Sequence, residues 1–155
     1  MIKLLRIDHR LLHGQVAFSW SGYLDANCIL IANDACVHDE LRKTTLRLAK
    51  PSTCKLIVKG IDESIEQLNS GKADKYNLFI IVEGVEDAYR LAKAVDRIKY
   101  INIGGLKATE KTHPHPSNHN INLTNQEEEM LTELEEAGKT IELRMVPNDP
   151  IKKLH

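Results

Sequence analysis

Along the chain, short apolar runs alternate with segments whose apolar residues recur every three or four positions. Ile2, Leu4, Leu5 and Ile7 read as a buried strand, and Val16, Ala17, Trp20 and Leu24 then follow at helical spacing. Cys28-Ile-Leu-Ile-Ala32 is a second strand, followed by a helix with Leu41, Thr45, Leu48 and Ala49 on one face. Lys55-Leu-Ile-Val58 makes the third strand, and a short helix turns Ile61, Ile65 and Leu68 inward before Gly71 stops it. Leu78-Phe-Ile-Ile-Val82 is apolar throughout, as a strand covered on both faces should be. Val85, Ala88, Leu91, Ala92 and Val95 predict a fourth helix. Tyr100-Ile-Asn-Ile103 then leads into Gly104-Gly105, where the backbone can be approached closely. Thr124-x-x-Glu127 is a capping box for a fifth helix, with Met130, Leu131, Leu134 and Ala137 as its core stripe and Gly138 closing it. Thr140 to Val146 alternates like a strand exposed on one side, and 147–155 reads as a short tail.

This order predicts an α/β fold, an open and mainly parallel sheet with helices on both faces. No repeat or linker breaks it, so residues 1–155 read as one domain. The polar stretch between Gly105 and Thr124 exceeds most loops of compact domains, which makes it a functional or mobile loop or hides a strand near Asn120-Ile-Asn-Leu123. Ligands of such sheets bind beyond the carboxyl ends of the strands. That edge receives Asp8 to His13, Asn33-Asp34 and Gly104-Gly105.

Composition removes several function classes. A net charge of −1 and a pI near 6.7 argue against an electrostatically driven nucleic-acid binder. The apolar runs are strand-sized and the N-terminus lacks the order of a signal peptide, so the chain reads as cytoplasmic. Cys28, Cys36 and Cys54 are widely spaced, without a C-x-x-C pair, and suggest neither disulfides nor zinc. Cys28 and Cys54 are expected in the core, whereas Cys36 is expected in a loop as a bland residue.

The chemistry concentrates between Asp8 and Gln15. His13-Gly14 falls where the first strand becomes a helix, and unpaired N–H groups at a helix start favour phosphate. A neutral imidazole is a competent nucleophile near neutral pH, and its phosphorylated form is a phosphoryl donor. Arg10 offers a fork matched to phosphate oxygens, Gly14 and Gln15 offer backbone N–H groups, and Asp8 either fixes Arg10 or orients the ring. A lone histidine at a helix start is ordinarily a cap or surface group, with Arg10 solvated and Asp8 capping. Neither a Walker A loop nor a nucleophile elbow occurs to decide between these readings. His9 reads as a surface group. His113, His115 and His119 sit among prolines with no carboxylate or cysteine to complete a metal site, so that stretch reads as surface or docking loop. Trp20 reads as core rather than as a sugar platform, and the glutamates of 127–136 as a solvated helix face.

The run Arg6-Ile-Asp-His-Arg-Leu-Leu-His-Gly-Gln-Val16 resembles the signature of the IIB component of the mannose/fructose/sorbose family of the bacterial phosphotransferase system. Similar segments continue at Ile31-Ala-Asn-Asp34, Asp39-Glu40 with Lys43 and Leu46, Asn102-Ile-Gly-Gly105, and Val146-Pro-Asn-Asp149 with Leu154. The resemblance implies one antiparallel edge strand on the parallel sheet. It also implies a phospho-carrier histidine, His13, modified at Nδ1, with Arg10, Gly14 and Gln15 holding phosphate and Asp8 in support. The implied partners are a IIA phosphodonor, expected as a separate chain, and membrane subunits IIC and IID that hold the sugar; no cofactor or metal is implied. The readings set against this are a regulatory phosphate-binding domain of the same fold and a phosphocysteine carrier using Cys36.

Overall fold

A computed structural model describes residues 1–155. In chain order the elements are β1 (Ile2–Asp8), α1 (Gly14–Leu24), β2 (Cys28–Ala32), α2 (Asp34–Val37), α3 (Glu40–Ala49), β3 (Lys55–Lys59), α4 (Ile61–Ser70), β4 (Leu78–Val82) and α5 (Val85–Ala94). They continue with β5 (Tyr100–Gly105), β6 (His113–His115), β7 (Asn118–Leu123), α6 (Asn125–Glu136), β8 (Thr140–Leu143) and β9 (Lys152–Lys153). The main sheet runs β3-β2-β4-β1-β5-β8-β9, parallel except for β9 against β8.

Alternation along β1 decides what each face receives. Leu5 and Ile7 join the larger core, with Ile80, Val82, Ile101 and the inner residues of α4, α5 and α6. Leu4 joins Ile29, Ile31, Phe79 and Ile81 on the opposite face, where Trp20 of α1 and Leu46 of α3 pack. The chain therefore leaves β1 across one face, while both neighbours of β1, β4 and β5, lead to helices on the other. Ligand crevices of open α/β sheets form at such a reversal.

Several expectations need correction. Leu41 and Leu48 are 80% and 83% exposed, so the inward face of α3 is set by Leu46. A second apolar phase at Leu41, Thr45 and Leu48 had masked it. Cys36 lies in α2 and is fully buried, where burial pushes its thiol pKa up and leaves little thiolate for a phosphocysteine reading. Ala137 is exposed at the end of its helix. The predicted strand to Val146 stops at Leu143, and the tail supplies the antiparallel edge strand β9 and a buried Leu154. The polar stretch holds the β6–β7 hairpin, tied to β5 by Leu106 N–H donating to Asn120 O and Asn122 N–H donating to Leu106 O. Trp20 is fully buried as expected, and the Thr124–Glu127 capping box is present in both directions.

Candidate active site at the end of β1

Asp8 ends β1 opposite Gly105 of β5, and the chain then turns sharply, Leu11 N–H donating to Asp8 O at 2.9 Å. Leu11 takes a left-handed backbone, φ 57°, which costs a non-glycine residue roughly 1–2 kcal/mol. Burying Leu11 and Leu12 under β4 and α1 returns about 1.5–3 kcal/mol each, so the strained turn is held by its own side chains. Gly14 follows at φ 40° as the first residue of α1, with His13 as an extended N-cap.

The start of α1 differs from every other helix start in the molecule. α2, α3 and α6 are capped by Asn33, Asp39 and Thr124, and α4 and α5 carry acids in their first turns. α1 has neither a side-chain cap nor a first-turn acid. Its positive end and the N–H groups of Gly14 and Gln15 are left for an anion from outside the chain.

Asp8 is the hub beneath this helix start. Its Oδ1 accepts from the Arg10 backbone N–H at 3.0 Å and from Arg10 Nε at 3.3 Å. Its Oδ2 accepts from Arg6 Nη2 at 2.9 Å and faces His13 Nε2 at 3.2 Å. The two roles left open for Asp8 by sequence are thus held together, one oxygen fixing Arg10 and the other orienting the ring. With Nε2–H donated to the carboxylate, Nδ1 carries the free lone pair of the imidazole. Arg10 is 42% exposed on its side chain, and its distal Nη2 rests on the Met145 thioether at 3.3 Å, a weak acceptor that an anion would displace.

Arg6 is the member of this cluster that the sequence reading passed over. Its guanidinium is buried, with Nη1 donating to Asn102 Oδ1 at 2.6 Å and to Arg144 O at 3.2 Å. It lies 5.4 Å from the Trp20 ring centroid. A Cβ at Gly104 would stand 2.0 Å from Arg6 Nη2, so that glycine exists for the guanidinium. The signal was present in the alternation of β1: Leu4, Arg6 and Asp8 share a face, and a cation two residues before a carboxylate in an apolar strand announces a buried pair.

Burial opposes ionisation of Asp8, but the Arg10 N–H, the charge of Arg6 and the His13 hydrogen bond outweigh it and hold the carboxyl below its ordinary range. A carboxyl depressed on folding contributes its full stability above its unfolded value, about 3.9, and loses it as pH falls through the lower folded value. Urea unfolding followed from about pH 5 down to about pH 2 should show a steeper loss for the native protein than for Asp8→Asn. Equal slopes would assign the acid arm to other carboxylates.

The three histidines of the hairpin diverge. His113 meets Glu128 and His115 is buried with Nε2 on Leu154 O, whereas His119 is exposed beside Arg10. No group of three or more potential metal ligands forms, and no helix is long and apolar enough to cross a membrane.

This mainly parallel sheet with one antiparallel edge strand is the fold of a IIB component of the sugar phosphotransferase system. Residues 2–155 match the family described as the PTS system sorbose subfamily IIB component, and the chain belongs to that family. The PTS system sorbose-specific EIIB component of Klebsiella pneumoniae is 30% identical over 155 residues, covering 96% of this chain and 90% of that protein. The crystal structure of the IIBSor domain of the sorbose permease from Klebsiella pneumoniae superposes with a TM-score of 0.92 at 29% identity, covering 99% of this chain and 93% of that one. The PTS system mannose-specific EIIAB component of Escherichia coli is 28% identical over 155 residues, which span 99% of this chain and 47% of that protein.

Proposed function

We propose that this chain is a phospho-carrier, accepting phosphate from a IIA phosphohistidine on Nδ1 of His13 and passing it to a sugar held by membrane subunits IIC and IID. The observation that carries the proposal is the Asp8 Oδ2 contact to His13 Nε2, which commits one ring nitrogen and frees the other. In the first step the Nδ1 lone pair attacks the phosphorus, the donor's P–N bond breaks, and the donor imidazole departs with its electron pair. The phosphorylated ring keeps its proton on Nε2, where the buried carboxylate of Asp8 stabilises the positive charge it acquires. In the second step a sugar hydroxyl oxygen attacks the same phosphorus and gives up its proton, and Nδ1 recovers its lone pair. Arg10, the open N–H groups of Gly14 and Gln15, and the positive end of α1 receive the equatorial oxygens. The chain would work in the cytoplasm, docked on its permease.

The test is phosphate transfer from phosphoenolpyruvate through the general phosphotransferase proteins and a matching IIA, read as added mass that is lost in acid. Arg10→Lys should accept phosphate at least about tenfold more slowly, because a single ammonium cannot hold Asp8 and two phosphate oxygens together. Transfer at the native rate in that variant would remove Arg10 from the phosphate clamp.

A further inference from the structure

Beside the reactive loop, on the β5 side, lies an open crevice of about 400 Å³ whose walls include His9, Arg10, Lys107, His119, Asn120 and Asn122. No carboxylate lines it. The side chains of His9, Lys107, His119 and Asn120 have no partner of their own in the protein, and Asn122 spends its amide N–H groups on Leu106 O and His119 O, leaving its Oδ1 free. The wall carrying these residues is fixed, because β7 is hydrogen-bonded to the exit of β5 through Leu106. Arg10 and Lys107 give this lining two permanent cations for an anion, and His119, Asn120 and Asn122, all on β7, give it side chains that can bond hydroxyls. Arg10 belongs both to this crevice and to the Asp8–His13 cluster.

We infer that the crevice is a product subsite that binds the phosphate monoester of a polyhydroxylated acceptor, the anion on Arg10 and Lys107 and the hydroxyls on His119, Asn120 and Asn122. This inference rests on the phospho-carrier reading and adds to it a specificity role for the β6–β7 hairpin: the loop contributes to which sugar phosphate leaves. Burial holds the His9 imidazole below its ordinary range, with Asp8 and Glu83 pulling it up and Arg10 and Lys107 adding to the depression. A bound anion in the crevice should therefore raise the midpoint of the His9 titration.

The experiment titrates the unphosphorylated protein with mannose 6-phosphate, inorganic phosphate and mannose in turn, following side-chain and backbone resonances of Lys107, His119, Asn120 and Asn122 by nuclear magnetic resonance. Mannose 6-phosphate should shift these resonances saturably and bind several-fold tighter than inorganic phosphate, and Lys107→Ala should weaken it about tenfold. Asn120→Ala should weaken the monoester but not inorganic phosphate, which a plain loss of charge or fold could not produce. Equal affinity for inorganic phosphate, an equal response to mannose, or no response in the crevice would overturn the inference. Labelling of His13 by phosphorylated IIA in the same preparation keeps the two readings apart: label without crevice binding refutes the subsite alone, and absence of label refutes the carrier.

Discussion

Alanine at position 13 should leave the protein folded and unable to take up phosphate. His13 keeps a quarter of its side chain exposed, and its interaction with the fold is the single contact to Asp8 Oδ2. When the ring is removed, the carboxylate still accepts from Arg6 Nη2 and from the N–H and Nε of Arg10, so no buried charge is orphaned. The expected cost is that of one hydrogen bond, about 1 kcal/mol, or roughly 2–4 °C in melting midpoint for a chain of this size. Phosphate incorporation should fall to background, because His13 is the imidazole that caps the start of α1 and rests on Asp8. His13→Gln sharpens the test, since its amide can donate to Asp8 while offering no nucleophilic nitrogen. Intact-mass measurement after incubation with phosphorylated IIA reads both variants. Label on either one, or a melting loss beyond about 10 °C in the glutamine variant, would make His13 a structural residue.

Replacing Arg6 with methionine should cost far more stability than any change on the surface loop. The substitution fills much of the volume but leaves Asp8 fully buried with one donor fewer and Asn102 Oδ1 without its donor. Breaking a buried pair from one side typically costs 3–5 kcal/mol, which corresponds to a melting loss on the order of 10 °C here. Gly104→Ala should reach the same result by collision, since its Cβ would meet the guanidinium on three atoms at 2.0, 2.2 and 2.6 Å. In the Arg6→Met, Asp8→Asn double variant the uncompensated charge disappears, and part of the loss should return. Urea unfolding curves for the four proteins of this cycle measure the coupling. A single-variant loss below about 1 kcal/mol would show that Arg10 and His13 suffice to hold the carboxylate.

Most elements were legible because each obeyed one periodicity with a clear stop. Leu78–Val82, the stripe of α5 and the Thr124 capping box are local signals that the tertiary structure confirms. α3 failed because Leu41 and Leu48 compete with Leu46 at helical spacing, and only the sheet decides which phase turns inward. The antiparallel edge strand implied by the resemblance is present, but its place in the tail was not legible, because two lysines carry no strand pattern and pairing with Glu142 and Leu143 makes them one. The loop after β1 stood out in its residue types, and Asp8, Arg10 and His13 do converge. Arg6 was passed over although the alternation of β1 signalled it, whereas Asn102 and Met145 come from β5 and the exit of β8, and only the strand order places them beside Arg6.

The count of charges around Asp8 has a bearing on loading. Arg6 and Arg10 against one carboxylate leave the empty cluster with a single surplus positive charge. On the phospho-carrier reading, a phosphoryl group brings about two negative charges while the ring that takes it becomes cationic, so the net gain of about one negative charge cancels that surplus. The loaded cluster would then be balanced, and the empty one would keep one unmatched cation. An incoming phosphate would complete the charge balance beneath α1 rather than overturn it.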